Sequence, residues 1–443
     1  MLKEALKELL GDTAHPNEMP DAPLLRDYLR AGCRHGDPIV LSFGETWTEA
    51  PPRLRGLLAD LPAHADGYQF SMYGLPSLLS TLKKRMAVEH RIEPRAFATG
   101  VIDLAVSWSG TRTAMFDFGR IVAERSESAR ERVIVVMGPS WDYEGVFKPL
   151  GFTMRYVHLR KEDAFAPSLE RFEATLAAIR ANAQQQLAMV VFNAQHNPTG
   201  VNFPAAFLEP AVRRAFDEGA HVLLDDAYFG VTDEGIEPTS ALKIVLDEVR
   251  GRPEADALKW LGVRSLGKQF HCNGWALGVV VAAPQTLDAL VNKKSLQHRL
   301  MFGGVAQHAM ARWLQSTESD AFLESQRASL RRKRAFVKEF LATDWKAPGS
   351  VVHTGACTAY TMIPIPRAYE HDPSTAQAFL DHVFARTGVL LAPAWPWPVD
   401  PETHVHVPYA RVYMGPSFET VRTGFARLRD AGFRYDMPNE MPP

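Results

Sequence analysis

The sequence predicts an α/β fold with a largely parallel sheet covered by helices on both faces. Three observations predict it. Short β-branched runs alternate with helical patterns, several of these runs are continuously apolar, and each ends in turn or polar residues. Continuous apolar runs between helices are typical of strands buried on both faces. Ligands bind at the carboxyl ends of such strands, so we expect the functional residues there.

The predicted elements follow one another along the middle of the chain. Four strands and two helices are expected before Gly304. In order, the segments are the strand ERVIVVMGPSW, the helix SLERFEATLAAIRANA, the strand LAMVVFNAQHNPTG, the helix PAVRRAFDEGA and the strands HVLLDDAYFG and LGVVVAAP. After Gly304 the alternation of strands and helices stops. A long basic helical stretch, LESQRASLRRKRAFVKEFLA, is followed there by a region rich in proline and aromatic residues. We therefore expect a second, smaller domain there.

Length and charge allow a sizeable core and exclude two classes of partner. The chain has 443 residues and a formal net charge of −2, enough for two or three domains. With so small a net charge, the sequence gives no sign of a basic surface that would bind nucleic acid or an anionic membrane. No apolar run reaches the roughly 20 residues that span a bilayer, and the charged start has no apolar core of a secretory signal.

Cysteine usage indicates a cytoplasmic setting without a metal site. Cys33, Cys272 and Cys357 lie far apart, without metal-type pairing. His404 and His406 in HVHV offer only two ligands, too few for a metal.

Four short clusters of chemistry-bearing residues stand at the ends of these elements. They are SGTRTAM from Ser109, HNPTG from His196, DDAYFG from Asp225 and SLGKQFHCNGWALG from Ser265. Taken singly, each has an ordinary explanation: a helix N-cap, a turn, a strand-end loop and a solvated lysine. The first also fits a phosphate cradle, because amides at a helix N-terminus bind anions. The order of the four clusters along the chain and the spacing between them decide between these interpretations.

In that order, the clusters resemble the class I and II aminotransferases, fold-type-I enzymes that depend on pyridoxal 5'-phosphate (PLP). The family pattern has a Ser-Gly-Thr loop, an aromatic residue after a proline, Asn-Pro-x-Gly, Asp-x-x-Tyr, and Ser-x-x-Lys with two glycines downstream. All five occur here, and the resemblance runs from LSFGETWTEAPP at residue 41 to YARVYMGPSFETVRTGFARL, which ends at residue 428. It implies a large domain with a mostly parallel, seven-stranded sheet sandwiched by helices, plus a smaller α+β domain.

The expected division has three parts. Residues 1–45 form an N-terminal segment that packs with the small domain, residues 46–304 form the large PLP-binding domain, and residues 305–443 form the small C-terminal domain.

The resemblance implies a role for each matching residue around the cofactor ring. Lys268 matches the lysine that forms a Schiff base with PLP and then acts as general base. Asp225 matches the carboxylate under the pyridine nitrogen, which keeps PLP an electron sink for carbanions at Cα. Asn197 and Tyr228 match the donors to the ring oxygen O3', and Trp141 matches the stacking aromatic residue.

The phosphate contacts are expected from a helix N-terminus and from a serine hydroxyl: Ser109, Gly110, Thr111 and Ser265. In the family, a tyrosine of the partner subunit often reaches the same phosphate. This implies a homodimer with shared active sites, for which Tyr68 and Tyr73 are the candidates.

The substrate is expected at Arg411, Gly44, Trp47 and Asn197. Arg411 matches the arginine that binds the α-carboxylate, a role that suits a bidentate guanidinium. No second arginine stands out as a reader of a side-chain carboxylate, so the identity of the amino acid stays open. Trp395 and Trp397 either line the pocket or pack the small domain.

The largest departure from the family concerns the phosphate. The family lysine is usually followed, eight residues on, by an arginine that pairs with the phosphate. Gly274 and Gly278 keep the register, so this position is Ala276. Arg112 and Arg264 are the candidate substitutes, with surface solvation as the alternative for both.

Other departures bear on the reaction. His271 and Cys272 stand where the family has small or apolar residues, and Glu45-Thr46-Trp47 replaces a common Gly-x-Pro turn. The resemblance implies transamination between an α-amino acid and a 2-oxo acid. The departures keep open a second hypothesis, a PLP enzyme of the same fold that does not transaminate. Such an enzyme would catalyse elimination or replacement at Cβ or Cγ of an amino acid, decarboxylation, or ring formation. A non-catalytic sensor is disfavoured, because the N-terminal segment is too short for a helix-turn-helix and such a protein needs no full catalytic set.

Overall fold

The computed structural model describes residues 2–13, 18–107, 109–126, 129–252, 259–299, 304–371, 373–395 and 406–439. The strands are β1 Ile39–Val40, β2 Asp103–Ser107, β3 Glu131–Gly138, β4 Phe152–His158, β5 Gln185–Phe192, β6 His221–Asp225, β7 Trp260–Ser265, β8 Gly278–Ala282, β9 Tyr360–Pro364, β10 Val389–Leu390, β11 Ala392–Pro393 and β12 Tyr409–Tyr413.

Helices precede, separate and follow the strands. They are α1 Leu2–Leu10, α2 Asp21–Arg30, α3 Pro52–Gly56, α4 Pro76–Glu89, α5 Arg95–Ala98, α6 Gly110–Arg125, α7 Glu144–Phe147, α8 Leu169–Ala181, α9 Ala205–Asp217, α10 Ala241–Arg250, α11 Leu266–Phe270, α12 Pro284–Asp288, α13 Val305–Leu314, α14 Thr317–Thr343, α15 Pro373–Thr387 and α16 Phe418–Asp430.

The central sheet has seven strands in the order β2-β8-β7-β6-β5-β3-β4. Strands β3 to β7 run parallel to their neighbours within that group, and β8 is antiparallel to both β2 and β7. The strands expected from the apolar runs are β3, β5, β6 and β8, so the predicted α/β fold with a mostly parallel sheet is confirmed. The ends of β5, β6 and β7 lie side by side, which brings their following residues to one edge.

Helix α14 covers the long basic stretch, and the two helices predicted between the strands are also present, one of them with a different start. The predicted helix at residues 168–183 is α8, and Ser168 caps it by accepting a hydrogen bond from the Arg171 amide. The other helix, α9, starts at Ala205, before the predicted Pro210, which therefore lies inside it. Pro204 directly precedes α9 and sets its start.

Buried apolar side chains form a main core on the seven-stranded sheet and a second core at its side. The second core joins β9, β12 and helices α14 to α16 to Ile39 and Leu41 of the N-terminal segment. Strand β1 also pairs in parallel with β10. A small third cluster packs Leu6, Leu25 and Tyr28 against Phe384 and Leu390. Within the described ranges, no helix combines the length and apolar character that crossing a membrane requires.

Candidate active site

Lys268 lies at the centre of the residues that the sequence predicts for the site. Its short helix α11 follows β7 directly, and Ser265 caps it because its Oγ accepts a hydrogen bond of 3.3 Å from the Lys268 amide. The Lys268 Nζ lies 5.6 Å from the centre of the Tyr228 ring. An added Cβ at Gly44 would lie 3.4 Å from the same Nζ. The amine therefore faces the loop FGETWTEAPP, residues 43–52, which carries Gly44 and Trp47 and is called the substrate loop below.

Asp225 is the last residue of β6 and is buried. Its Oδ2 accepts a hydrogen bond of 2.6 Å from Tyr143 Oη, and its Oδ1 accepts one of 3.2 Å from the Ala227 amide. Burial raises the pKa of Asp225, whereas these two hydrogen bonds and the charge of Lys268 lower it. Among the described residues, no lysine or arginine forms an ion pair with this carboxylate. A cationic ligand would therefore stabilise its charged form.

The turn HNPTG is tied to the end of β6 through Asn193. The Asn197 amide donates 2.8 Å to Asn193 Oδ1, and Asn193 Nδ2 donates 2.6 Å to the Asp225 carbonyl. Asn197 is buried, and its Oδ1 has no hydrogen-bond partner within the described part of the chain. Buried amides are normally satisfied, so this side chain is left for a ligand.

The predicted phosphate loop lies at the N-terminus of α6, a helix of 16 residues. Ser109 makes no capping bond with its side chain. The Gly110 amide donates 2.7 Å to the carbonyl of Ala276. An added Cβ at Gly278 would lie 3.3 Å from the Thr111 amide. Ala276 therefore contacts the loop through its backbone, and one of the loop amides is already engaged.

Both candidate substitutes for the missing arginine have acidic partners. Arg112 Nη2 lies 2.8 Å from Asp142 Oδ2, and the guanidinium carbon lies 5.2 Å from the centre of the Trp141 ring. Arg264 is buried and forms an ion pair with Glu89. Arg112 thus stays beside the predicted stacking residue, whereas the charge of Arg264 is neutralised by Glu89.

Two residues that follow Lys268 hold the substrate loop, and one of them, His271, departs from the family. Asn273 Nδ2 donates 3.1 Å to the Gly44 carbonyl and 3.0 Å to Glu45 Oε2. His271 Nδ1 and Thr46 Oγ1 lie 3.3 Å apart. Burial lowers the pKa of His271 to about 4, so the ring is neutral at physiological pH. The segment after Lys268 is therefore fastened to the loop opposite.

Arg411 enters the site from β12, which pairs with β9 and β11. Its Nη2 donates 3.2 Å to the Ser42 carbonyl, and its guanidinium carbon lies 4.6 Å from the centre of the Tyr360 ring. The Nε atom is buried without a hydrogen-bond partner in the described ranges. The guanidinium thus keeps donor capacity for a substrate carboxylate.

Several other predicted residues have packing contacts. Trp47 has a φ of +55°, and its ring centre lies 6.4 Å from that of Phe43. Trp395 packs edge-on against Tyr156 at 5.0 Å. Burial raises the pKa of the Cys272 thiol to about 12, so it is a poor nucleophile. Trp397 and His404 lie outside the described residues.

The structure does not bring the two candidate interface tyrosines to the site of their own chain. Tyr68 is 77% exposed, and Phe70 close by is fully exposed. Tyr73 is half-buried, and its Oη accepts a weak hydrogen bond of 3.5 Å from Asn292. Neither tyrosine hydrogen-bonds to Lys268 or to residues 109–111 in the described structure.

Sequence reasoning missed Tyr143, Asn193, Asn273 and Tyr360. Tyr143 had a usable signal, because it stands two residues after Trp141 in the same turn. Asn193 also had one, because it directly follows β5 at the ligand-binding edge. Tyr360 and Asn273 had none, since they reach the site only through strand pairing and loop contact.

The donor set fits a ring with a basic nitrogen, a ring oxygen and a phosphate. Asp225 offers a buried carboxylate to a cationic nitrogen. Asn197 offers a buried side-chain amide, whose Nδ2 is the group that can donate to a ring oxygen. The N-terminus of α6 suits a phosphate.

Comparisons with known proteins agree with this chemistry. Residues 45–408 match the family model described as aminotransferase class I and II. The LL-diaminopimelate aminotransferase of Dehalococcoides mccartyi is 23% identical over 305 residues, 68% of this chain and 69% of that protein. The aspartate/prephenate aminotransferase of Thermus thermophilus is 25% identical over 307 residues, 69% and 72% of the two chains.

Solved structures of the same family share the fold. The aspartate aminotransferase of Thermus thermophilus with maleate superposes with a TM-score of 0.71 at 20% identity, covering 94% of this chain and 97% of that one. Substrate-bound BacF of Bacillus subtilis gives 0.72 at 18% identity, covering 95% and 97%. The chain therefore belongs to the class I and II aminotransferases, whose cofactor is PLP.

Proposed function

We propose that the chain transfers an amino group between an α-amino acid and a 2-oxo acid, with PLP attached at Lys268 Nζ. The observation that carries this proposal is one site that gathers Lys268, Asp225, Tyr228 and Arg411 from separate elements. Lys268 follows β7, Asp225 ends β6 and Arg411 lies on β12. Each provides the chemical group that transamination with PLP requires at its place.

Five sets of contacts would hold the cofactor. Asp225 would bind the pyridine nitrogen, and its raised pKa supports this role because a ring cation would offset the penalty of burial. Asn197 would donate to the ring oxygen, and Trp141 would stack on the ring. Arg112 lies over Trp141 and is ion-paired with Asp142, so it would flank the stacking residue. The phosphate contacts would come from Ser109, Thr111 and Ser265, with Gly110 shaping the turn through its φ of +77°.

Bound PLP supplies an electron sink that stabilises negative charge at the substrate Cα. The chain contributes the proton transfers and the orientation. The free Lys268 amine would take the proton from the substrate Cα as general base and, as the acid so formed, would deliver it to C4' of the cofactor. Arg411 binds the α-carboxylate and fixes which bond at Cα faces Lys268. Gly44 leaves room beside the amine, and Asn273 keeps the loop that carries it in place.

Three finer features belong to the same proposal. A homodimer is supported by Tyr68 and Phe70, two large side chains that are exposed on one chain and suit contact with a partner. A division into residues 1–45, 46–304 and 305–443 draws support from the second apolar core, which joins Ile39 and Leu41 to α14–α16. Helix α13 packs in the first core, so it would go with the large domain. A cytoplasmic location is supported by three buried, unpaired cysteines.

The experiment is a half-reaction. Purified holoenzyme is mixed with single α-amino acids, and the cofactor spectrum is followed before a 2-oxo acid is added. We expect conversion to the amine form of the cofactor and its reversal by the 2-oxo acid, with Lys268→Ala inactive in both directions. Release of a 2-oxo acid, ammonia or carbon dioxide with no amine form would contradict transamination and favour another PLP reaction.

A further inference from the structure

A cavity of about 190 Å³ is lined by helix α14 and by the segment that follows β12. Gln326, Ser329 and Lys333 line it from α14, spaced at the three- and four-residue intervals that place side chains on one helix face. His271 and Met414 contribute to its other walls. The residues assigned above to the cofactor and to the substrate carboxylate do not line this cavity.

Lys333 brings a positive charge into the cavity. The residue is 4% exposed, and its Nζ donates a hydrogen bond of 2.8 Å to the Met414 carbonyl. An ammonium group has three protons to donate, so further donor capacity remains. Glu49 also lines the cavity, but no carboxylate in the described part of the chain forms an ion pair with Lys333. A buried cation without a counter-ion is costly, which makes this amine suited to an anionic ligand.

The protonation of Lys333 agrees with this role. Burial lowers the pKa of Lys333 to about 8, and the charge of Glu49 acts against that shift. The amine is therefore mainly charged at pH 7. A carboxylate bound to its Nζ would offset the penalty of burial and raise this pKa.

Gln326 offers an acceptor to the same cavity. Its Nε2 donates 3.3 Å to the Gln269 carbonyl, and because a carbonyl can only accept, this contact fixes the orientation of the amide. The same nitrogen donates to His271 Nε2 at 2.8 Å. Gln326 Oε1 is buried and has no hydrogen-bond partner among the described residues. Buried polar atoms are normally satisfied, so this oxygen is available to a ligand.

The cation and the acceptor suit the two ends of one compact ligand. Lys333 follows Gln326 by about two turns of α14. A ligand that carries both an anionic group and an N–H donor would satisfy both side chains. The cavity volume of about 190 Å³ is that of roughly six water molecules, at about 30 Å³ each. The other lining side chains are mostly small or apolar and include Ser325, Ser329, Leu330 and Ala359.

We propose that this cavity binds a free α-amino acid with a small side chain, at a site distinct from the active site. The carboxylate of the amino acid binds Lys333 Nζ, and its ammonium group donates to Gln326 Oε1. This inference does not depend on which reaction the chain catalyses.

Hydrogen bonds link the proposed site to the substrate loop. Since His271 Nε2 accepts from Gln326, the proton of this neutral ring is on Nδ1, which donates to Thr46 Oγ1 at 3.3 Å. An amino acid bound to Gln326 therefore contacts the residue that orients His271 against the substrate loop.

The test is a calorimetric titration of the full chain with alanine, after removal of the cofactor so that alanine cannot react. We expect a dissociation constant in the millimolar range. Propionate lacks the ammonium group and ethylamine lacks the carboxylate, so each should bind at least about tenfold more weakly. Inorganic phosphate should not compete with alanine, because it offers no N–H donor to Gln326.

Variants locate the binding event. Lys333→Met should weaken alanine binding about 10- to 100-fold. Lys338→Met is the matched control, because it removes an exposed charge from the same helix and should leave the affinity unchanged. Arg411→Gln removes the carboxylate-binding group of the active site and should keep this binding event. If Lys333→Met fails to fold, Ser329→Leu decides, because it fills the cavity, retains the amine and should also abolish alanine binding.

Several results would overturn the proposal. They are alanine that does not bind, alanine binding that is unchanged in Lys333→Met or in Ser329→Leu, and propionate that binds as tightly as alanine. Loss of all alanine binding in Arg411→Gln would place the amino acid at the active site instead. Competition by inorganic phosphate would show a general anion site rather than a site for an amino acid.

Discussion

Replacing Ala276 by arginine should tighten PLP binding by adding a charge at the phosphate loop. The Ala276 carbonyl accepts a hydrogen bond of 2.7 Å from the Gly110 amide, so residue 276 lies directly against the residues expected to hold the phosphate. Its φ of +52° is left-handed, and the strain of that conformation is similar for alanine and for arginine. The substitution therefore changes the side chain and its charge more than the backbone.

The expected magnitude follows from the contact that would form. A charge-assisted hydrogen bond to a partly buried phosphate contributes about 1.5–3 kcal/mol. Since about 1.4 kcal/mol is a factor of ten, the dissociation constant of PLP should fall roughly 10- to 100-fold. Ala276→Gln is the matched control, because glutamine adds a long polar side chain at the same φ without a charge.

The assay is an equilibrium titration of cofactor-free protein with PLP and, in parallel, with pyridoxal. Ala276→Arg should bind PLP more tightly than both wild type and Ala276→Gln, and the gain should vanish with pyridoxal, which has no phosphate. An equal gain with pyridoxal would show that the added arginine does not contact the phosphate. An arginine variant that binds PLP no more tightly than wild type would refute the placement of residue 276 at the phosphate.

Three further predictions concern stability, substrate binding and pH. Tyr143→Phe removes a 2.6 Å hydrogen bond to the buried Asp225 carboxylate and should lower the free energy of unfolding by about 1.5–3 kcal/mol, measured in denaturant; an unchanged midpoint would contradict this. Arg411→Gln should raise KM for an α-amino acid roughly 10- to 100-fold, with little effect on a matched amine that lacks the carboxylate. Burial lowers the pKa of His196 to about 3 and that of His271 to about 4, below the ordinary value near 6.5. As the pH falls, the unfolded chain therefore binds these protons before the folded chain does. The free energy of unfolding should decrease as the pH is lowered from 6.5 to 4, and this decrease should be smaller in His271→Asn.

The sequence predicted most of the central sheet and the core of the site for one physical reason. Strands buried on both faces must be continuously apolar, so β3, β5, β6 and β8 were visible as runs. Parallel strands place their carboxyl ends at one edge, so the clusters around Asn197, Asp225 and Lys268 could be grouped before any contact was known.

Residues that reach the site from elsewhere left no such pattern. Tyr360 starts β9, whose place is set by its pairing with β12, and β12 also carries Arg411. Asn273 fixes the substrate loop through side-chain hydrogen bonds across a large sequence separation. Ala276 was recognised as a missing arginine, but its backbone contact with Gly110 depends on the fold of the whole loop. Periodicity carries no information about contacts of these kinds.

Borohydride reduction of the holoenzyme, followed by peptide mass spectrometry, tests the identity of the cofactor lysine most directly. We predict a pyridoxyl group on the peptide that contains Lys268 and on no other. Lys268→Ala should fold, carry no pyridoxyl group after reduction and lose turnover. A reduced adduct on another lysine, or full turnover in Lys268→Ala, would contradict the assignment of Lys268 as the residue that holds PLP.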